Sequence, residues 1–419
     1  LDTIKNFGSI SNIPLQRIIP DRNNDWINQR NPNYQRYTWI ADDNNTTLGA
    51  FKNHALGVVT NRDTWVYSFS KEAVSNNVQR MINNYNGELR RLMHIPAKER
   101  KNRLNRSASF VKWTFRLENS LIKGEKLCFK PQKILLGMYR PFTKKWLYYN
   151  NDVIERTRLY YTKWGKNNKV IFTSGRGANG QFSVLASNVI PNMDTLEKTQ
   201  GYMRYDNEPA GNQISWTPDC HDNMNQVFAD KLGLSFDDTF AYVYGVLNLP
   251  EYQTKYENDL RKDLARIPIL KNKEKYVEIG NKLINLHINY ENVPVYSGVK
   301  IVKHGKLDYR VTKMRFAKKR QESGKLKDDR TAIVYNNTLA ITNIPERAYQ
   351  YVVNGRSAIE WIMDQYQITT DRASGITDDP NEYSQDPKYI FNLLLRIINV
   401  SLQTLDLIDQ LPSMELAEN

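Results

Sequence analysis

KILLGMYRPFTKKWLYYN, residues 133–150, decides the fold. Its two halves, KILLGMY and KWLYYN, are short runs rich in aromatic and branched apolar residues. Turn residues around Pro141 part them, so they read as strands. The same texture extends on both sides, through FVKWTF (110–115), KVIFTS (169–174) and FSVLASNVI (182–190). Upstream the period changes. Val74, Val78, Met81, Ile82, Tyr85, Leu89 and Leu92 recur at helical spacing over 70–93, with Ser70 placed to cap and Glu72 in the first turn. Downstream, DTFAYVYGVLN, EYQTKYENDLRKDL and KYVEIGNKLINLHI predict helices between 237 and 290.

A second strand group follows at YRVTKMRFAKK, TAIVYNN and LAITNI (309–344). Two short helices come next, the second opened by Ser357 and Glu360 in capping-box spacing. An apolar helix over 389–410, interrupted by Arg396, closes the chain. Its apolar residues nearly surround it, as in a helix packed between domains. The first 50 residues are polar and broken by Pro14, Pro20 and Pro32, which reads as a loop-rich link. The expected class is α+β: a mixed or antiparallel sheet region flanked by helices, with a helical C-terminal part. Three parts are expected, a tail over 1–50, an α+β domain over 51–345 and a helical region over 346–419.

The chain has 419 residues and 40% hydrophobic residues, enough for packed cores. No apolar run reaches the roughly 18 residues of a membrane span, and LDTIKNFGSI is no signal peptide. The first residue is not Met, which reads as a piece of a longer protein. Cys128 and Cys220 stand too far apart for a disulfide framework or a cysteine-rich zinc site, which fits a reducing cytoplasm. There are 59 Lys+Arg against 45 Asp+Glu, a net charge of +14. That surplus favours a polyanionic partner, because neutralising each phosphate releases a counterion.

Several catalytic-looking motifs fail on context. GRGANG (175–180) has dinucleotide-loop spacing, but a strand-like run follows where a helix must start, so it reads as a hairpin turn. NPNY (31–34) is similar to an amino-methyltransferase tetrad, yet the polar DWINQR before it makes a poor buried strand. It reads as a surface loop. Asp219-Cys220-His221-Asp222 lacks a second set of metal ligands, and Pro218-Asp219 has no acidic-x-Lys partner of a nuclease. The five histidines make no paired spacing, and His287 reads as a packed or capping residue.

What remains is basic residues among aromatics. KMRFAKKRQESGKLKDDR (313–330) places two strands around Glu322-Ser323-Gly324. Alternation puts Lys313, Arg315 and Lys319 on one face, and Met314, Phe316 and Lys318 on the other. Such a ribbon, which carries Arg320 as well, fits a DNA major groove. It also fits a solvated edge kept from aggregating by its lysines. Trp113 and Arg116, with Arg140-Pro141-Phe142 and Lys144-Lys145-Trp146, form a second group, open to the alternative that the aromatics are core. Arg62, Arg156 and Arg176 complete the candidates, each also readable as a local ion-pair or turn residue.

Six segments together carry a resemblance: GVVTNRDTWVYSF (57–69), KWTFRLENSLIKG (112–124), YRPFTKKWLYY (139–149), FAYVYGVLNLPEYQTKYENDLRKDLARIPI (240–269), MRFAKK with IVYNN, and the run 344–383 around NGRSAIEW. From about residue 50 to 385 the chain resembles the C-terminal specificity domain of type ISP restriction-modification enzymes. That resemblance implies a duplex DNA partner, read at a short asymmetric site and presented to an adjacent adenine methyltransferase domain outside this chain. It implies S-adenosylmethionine, ATP and Mg2+ for the parent enzyme and no cofactor, no catalytic centre and no membrane for this part. The family's base-reading residues vary, so the twelve basic candidates rest on charge and placement alone. Two alternatives stay open: an active methyltransferase or nuclease fragment with atypical motifs, and an RNA-binding or protein-docking module.

Overall fold

The computed structural model of the chain describes residues 2–162, 164, 167–207, 220–322 and 324–417. Helices and several mostly antiparallel sheets share it, as the sequence predicts. Strands Ile134–Arg140 and Thr143–Tyr148 pair antiparallel across a two-residue turn at Pro141 and Phe142. Phe142 takes φ 54°, a region that costs a side-chain-bearing residue energy. Its ring is fully buried and meets His287, Tyr290 and Tyr351 edge-on, and that burial offsets the strain. Tyr67–Ser68 and, in parallel, Ile190–Pro191 complete this sheet.

A second sheet joins Ala55–Leu56, Gln200–Met203, Val170–Thr173 and Val184–Ser187. GRGANG is the link between its last two strands. A side chain on Gly175 would overlap the Lys198 carbonyl, so the glycine serves close backbone packing. Among the described residues the turn leads into strand Val184–Ser187 and not into a helix. A third sheet has the order Lys300–Lys303, Leu339–Thr342, Leu326–Val334, Arg315–Arg320.

Helix Lys71–Leu92 begins where Ser70 accepts the Ala73 N–H, and it buries the seven apolar positions read from its period. Helices Phe236–Leu247 and Lys273–Ile288 cross closely: a Cβ on Gly280 would overlap the Ala241 carbonyl. Ser357 and Glu360 form the capping box of Ala358–Gln365. Helix Tyr389–Ile408 is long and apolar enough to cross a membrane, but here Leu393, Leu394, Ile397 and Ile398 are fully buried in the core, and Arg396 donates to the Val293 carbonyl.

Some expectations need correction, and others are extended. FVKWTF is not a strand. Residues 111–114 are irregular and helix Phe115–Lys123 begins at once, because Leu117 and Leu121 bury one turn apart and outweigh the local β preference. Strand Lys300–Lys303 escaped notice because its exposed edge shows no alternation. Residues 34–51 are not merely a link: Tyr34, Ile40, Ala41, Ala50 and Phe51 join a buried cluster with the helix pair, and Thr38–Trp39 pairs with Arg266–Ile267. Tyr34 of NPNY is thus core, not surface. One continuous hydrophobic cluster also runs from Val58 to Val400, across the junction expected at 345–346.

Candidate nucleic-acid interface

The ribbon Arg315–Arg320 with Leu326–Val334 grows from a buried root. Met314 is buried, and half-buried Phe316 lies 6.0 Å from the Tyr349 ring. The Arg330 guanidinium covers Tyr349 at 4.6 Å. Between Phe316 and Ala317 the register jumps, from Phe316 opposite Ile333 to Ala317 opposite Asp329. The extra residues bulge from the return strand, and a bulge bends a ribbon and increases its twist. Beyond it the pairs are Lys318 with Asp328, Lys319 with Lys327, and Arg320 with Leu326. All six are exposed.

Lys318 therefore departs from the expected inward face. No core lies under the outer ribbon, and Lys318 pairs with Asp328 at 2.6 Å in solvent. Among the described residues, Lys313, Arg315, Lys319 and Arg320 are exposed and make no ion pair. Ser323 of the expected turn lies outside the described residues.

The second basic group divides. Lys144 and Lys145 are buried, held by Glu291 at 2.6 Å and Asp378 at 2.8 Å. Adjacent residues of a strand point to opposite faces, so each lysine meets its own carboxylate. Arg62 is buried too. Its guanidinium donates to the Val153 carbonyl and the Thr114 hydroxyl, and burial pushes its pKa down to about 9. These three charges are withdrawn from the surface, contrary to their reading as open contacts. The surrounding aromatics are why: Lys145 lies 4.3 Å from the Tyr139 ring and 4.5 Å from Phe69.

Arg116 and Arg156 stay exposed and adjacent, the Arg116 Nε–H donating to the Glu155 carbonyl at 3.2 Å. Half-buried Arg140 stacks on Tyr139 at 4.1 Å. Arg140 also reaches Asn192, which with Asn61, Arg62, Asp63, Lys112 and Asp194 lines a cleft of about 510 Å3. Asp63 accepts from the Thr60 hydroxyl, and burial raises its pKa. Arg176 lies apart, tied to Asp43 at 2.6 Å and Asp263 at 3.3 Å.

The structure thus leaves Lys313, Arg315, Lys318, Lys319 and Arg320 together on and beside the ribbon and Arg116 beside Arg156, and it buries Arg62, Lys144 and Lys145 and sets Arg176 apart. The sequence candidates omit Lys327 on the return strand, Lys325 just before it, and Lys112 at the cleft. Their signal was present as alternating lysines in KLKDD and as a lysine beside Trp113. Among the described residues, no group of three His, Cys, Asp or Glu side chains is placed to hold a metal ion. Pro218 and Asp219 lie outside the described residues; Asp222 of the same run is bound to Arg204. His287 is packed, as expected, between Tyr244 and Thr404 hydroxyls.

Comparison with known proteins gives a consistent picture. The family described as Type ISP C-terminal specificity domain matches residues 49–393. Among solved structures, a nuclease-deletion mutant of the Type ISP restriction-modification enzyme LlaGI, in complex with a DNA substrate mimic, is 45% identical, with a TM-score of 0.87 over 100% of this chain and 38% of that one. The ATP-dependent Type ISP enzyme LlaBIII bound to DNA is 37% identical, with a TM-score of 0.86 over 99% of this chain and 27% of that one. A DrdV–DNA complex is 25% identical, with a TM-score of 0.81 over 97% of this chain and 41% of that one. No curated protein matches. The chain spans less than half the length of each of these three structures. With the family matched over most of its length, the chain belongs to the type ISP C-terminal specificity domains.

Proposed function

We propose that this chain recognises a short sequence in duplex DNA and holds it for an adjacent adenine methyltransferase domain of a longer polypeptide. The observation that carries the reading is the projecting ribbon. Its outer half is exposed on both strands, and Lys319 stands opposite Lys327. Like charges directly opposed destabilise a strand pair, and a bound polyanion relieves them. The relatives' DNA complexes and the net charge of +14 support the same partner. In this reading Arg315, nearest the root, reads a base edge, while Lys313, Lys319 and Arg320 hold phosphates. S-adenosylmethionine, ATP and Mg2+ belong to the rest of the parent, which works in the cytoplasm.

The test is binding of the 419-residue chain to random-sequence duplex, single-stranded DNA and single-stranded RNA in competition. Preference for duplex supports the reading, and preference for RNA overturns it. Transfer of a labelled methyl group to DNA, or DNA cleavage, by the chain alone would favour the alternative of an enzymatic fragment.

A further inference from the structure

The register jump at the root of the ribbon leaves Arg330, Thr331 and Ala332 without a partner on strand Arg315–Arg320. The bulge they form is held both within its sheet and from outside it. Within, Asp329 accepts from the Thr331 N–H at 2.9 Å and from the Thr331 hydroxyl at 2.6 Å. The Thr331 carbonyl accepts the Ile344 N–H at 3.0 Å, just beyond strand Leu339–Thr342. The outside hold is Arg330. Its guanidinium lies 4.6 Å from the Tyr349 ring and pairs with Oε1 of Glu360 at 2.9 Å. Oε2 of that carboxylate accepts from the N–H and the hydroxyl of Ser357, closing the capping box of helix Ala358–Gln365. Glu360 thus gives one oxygen to its own helix and the other to the ribbon.

The helix is a firm anchor, because Ile359 and Ile362 are fully buried in the larger hydrophobic cluster. The outer ribbon has no such support. Lys318, Lys319 and Arg320 on one strand and Leu326, Lys327 and Asp328 on the other are all exposed. A groove of about 350 Å3, lined by Met314 and Phe316 of the root and by Glu360 and Met363 of the helix, leaves the root room to tilt. The direction of the outer half is therefore set at the bend, and the Arg330–Glu360 pair joins that bend to a fixed element. A half-exposed ion pair contributes little to stability, so its place in the fold matters more than its strength.

We propose that Arg330 is a positioning residue: held by Glu360, it fixes the angle at which the ribbon leaves the sheet, so that the ribbon meets a DNA groove already oriented. A binding element held in its bound direction loses less freedom on association. The proposal rests on the reading of the ribbon as the DNA-contacting element and adds a residue that need not touch DNA.

Glu360→Gln separates positioning from charge. Glutamine also serves at the third position of a capping box, so the helix keeps its cap. Removing a carboxylate raises the net charge, which by itself tightens binding to a polyanion. Positioning predicts the reverse. Affinity for a random-sequence duplex should fall roughly tenfold in Glu360→Gln and in Arg330→Gln, which leaves the cap untouched, with the parent's salt slope kept in both. Melting should not move. Spin labels on exposed Cys128 and on Glu322→Cys, in a Cys220→Ser background, read the ribbon without DNA. Their distance distribution should broaden in both variants, and an unchanged distribution overturns the proposal. Glu360→Gln binding as well as the parent, or tighter, also overturns it, while weakened binding by Lys319→Ala in the same assay leaves the ribbon reading standing. Weakening by Arg330→Gln alone, with a salt slope lower by about one unit, makes Arg330 a phosphate contact and overturns the positioning role. Full affinity in both Lys319→Ala and Lys327→Ala takes the ribbon out of the interface, and the proposal with it.

Discussion

Lys319 and Lys327 sit directly opposite each other on the exposed outer half of the ribbon, one pair beyond the ion pair of Lys318 with Asp328. Opposed like charges destabilise a free hairpin, so either lysine should be dispensable for folding. Lys319→Ala and Lys327→Ala should leave melting unchanged or slightly raised. Each should weaken binding to all duplex sequences alike and lower the salt slope by about one unit. Arg315→Ala should instead cost roughly 1–3 kcal/mol on the cognate site and little on random DNA. Unchanged affinity in all three variants would make the ribbon a solvated edge.

The net charge of +14 sets the salt response. If about six phosphates are neutralised, duplex affinity should fall on the order of a thousandfold between 50 and 200 mM salt. A titration by fluorescence anisotropy measures it, and a flat response contradicts a phosphate-led interface.

Glu291 gathers the Lys144 ammonium at 2.6 Å and the hydroxyls of Tyr389 at 2.5 Å and Tyr383 at 3.3 Å. Lys144→Met strands a mostly buried carboxylate. The expected loss in urea unfolding is about 3 kcal/mol, the low end for a broken buried pair because two hydroxyls still hold Glu291. The folded variant should bind DNA as the parent does, which separates Lys144 from the ribbon lysines.

His287 is fully buried, and desolvation pushes its pKa down to about 3 from an ordinary 6.5. In the unfolded chain the ring takes a proton near pH 6.5 that the folded chain refuses. The unfolded state then binds more protons, so stability is lost as pH falls from about 6.5 toward about 3 and is fully present above that window. His287→Gln should be less stable at pH 7 yet lose less on acidification. Parallel melts at pH 7 and pH 5 compare the two slopes.

Gly280 lies where its helix meets the Ala241 carbonyl and the Gly245 backbone. Gly280→Ala should force helices Phe236–Leu247 and Lys273–Ile288 apart and destabilise by about 1–3 kcal/mol. This holds despite alanine's better helix propensity. Denaturant midpoints decide which effect wins.

Local chemistry was enough for much of this molecule. The 3.6 period and Ser70 defined helix Lys71–Leu92, Ser357 and Glu360 defined their capping box, and the aromatic runs on either side of Pro141 defined a strand pair. Net charge and the spacing around Phe316 pointed to the ribbon, because alternation is a property of neighbouring residues. Long-range partners decided the rest. Arg62, Lys144 and Lys145 look like surface cations until Thr114, Glu291 and Asp378 arrive from 52, 147 and 233 residues away. The register jump after Phe316 depends on which residues of the return strand pair, and beyond it Lys318 stands exposed opposite Asp328. Phe115 is exposed because Leu117 and Leu121 take the buried side of its helix. A sequence states which groups carry charge or an apolar face. Whether a cation faces water or a carboxylate depends on contacts between distant segments, and only the packed chain contains those.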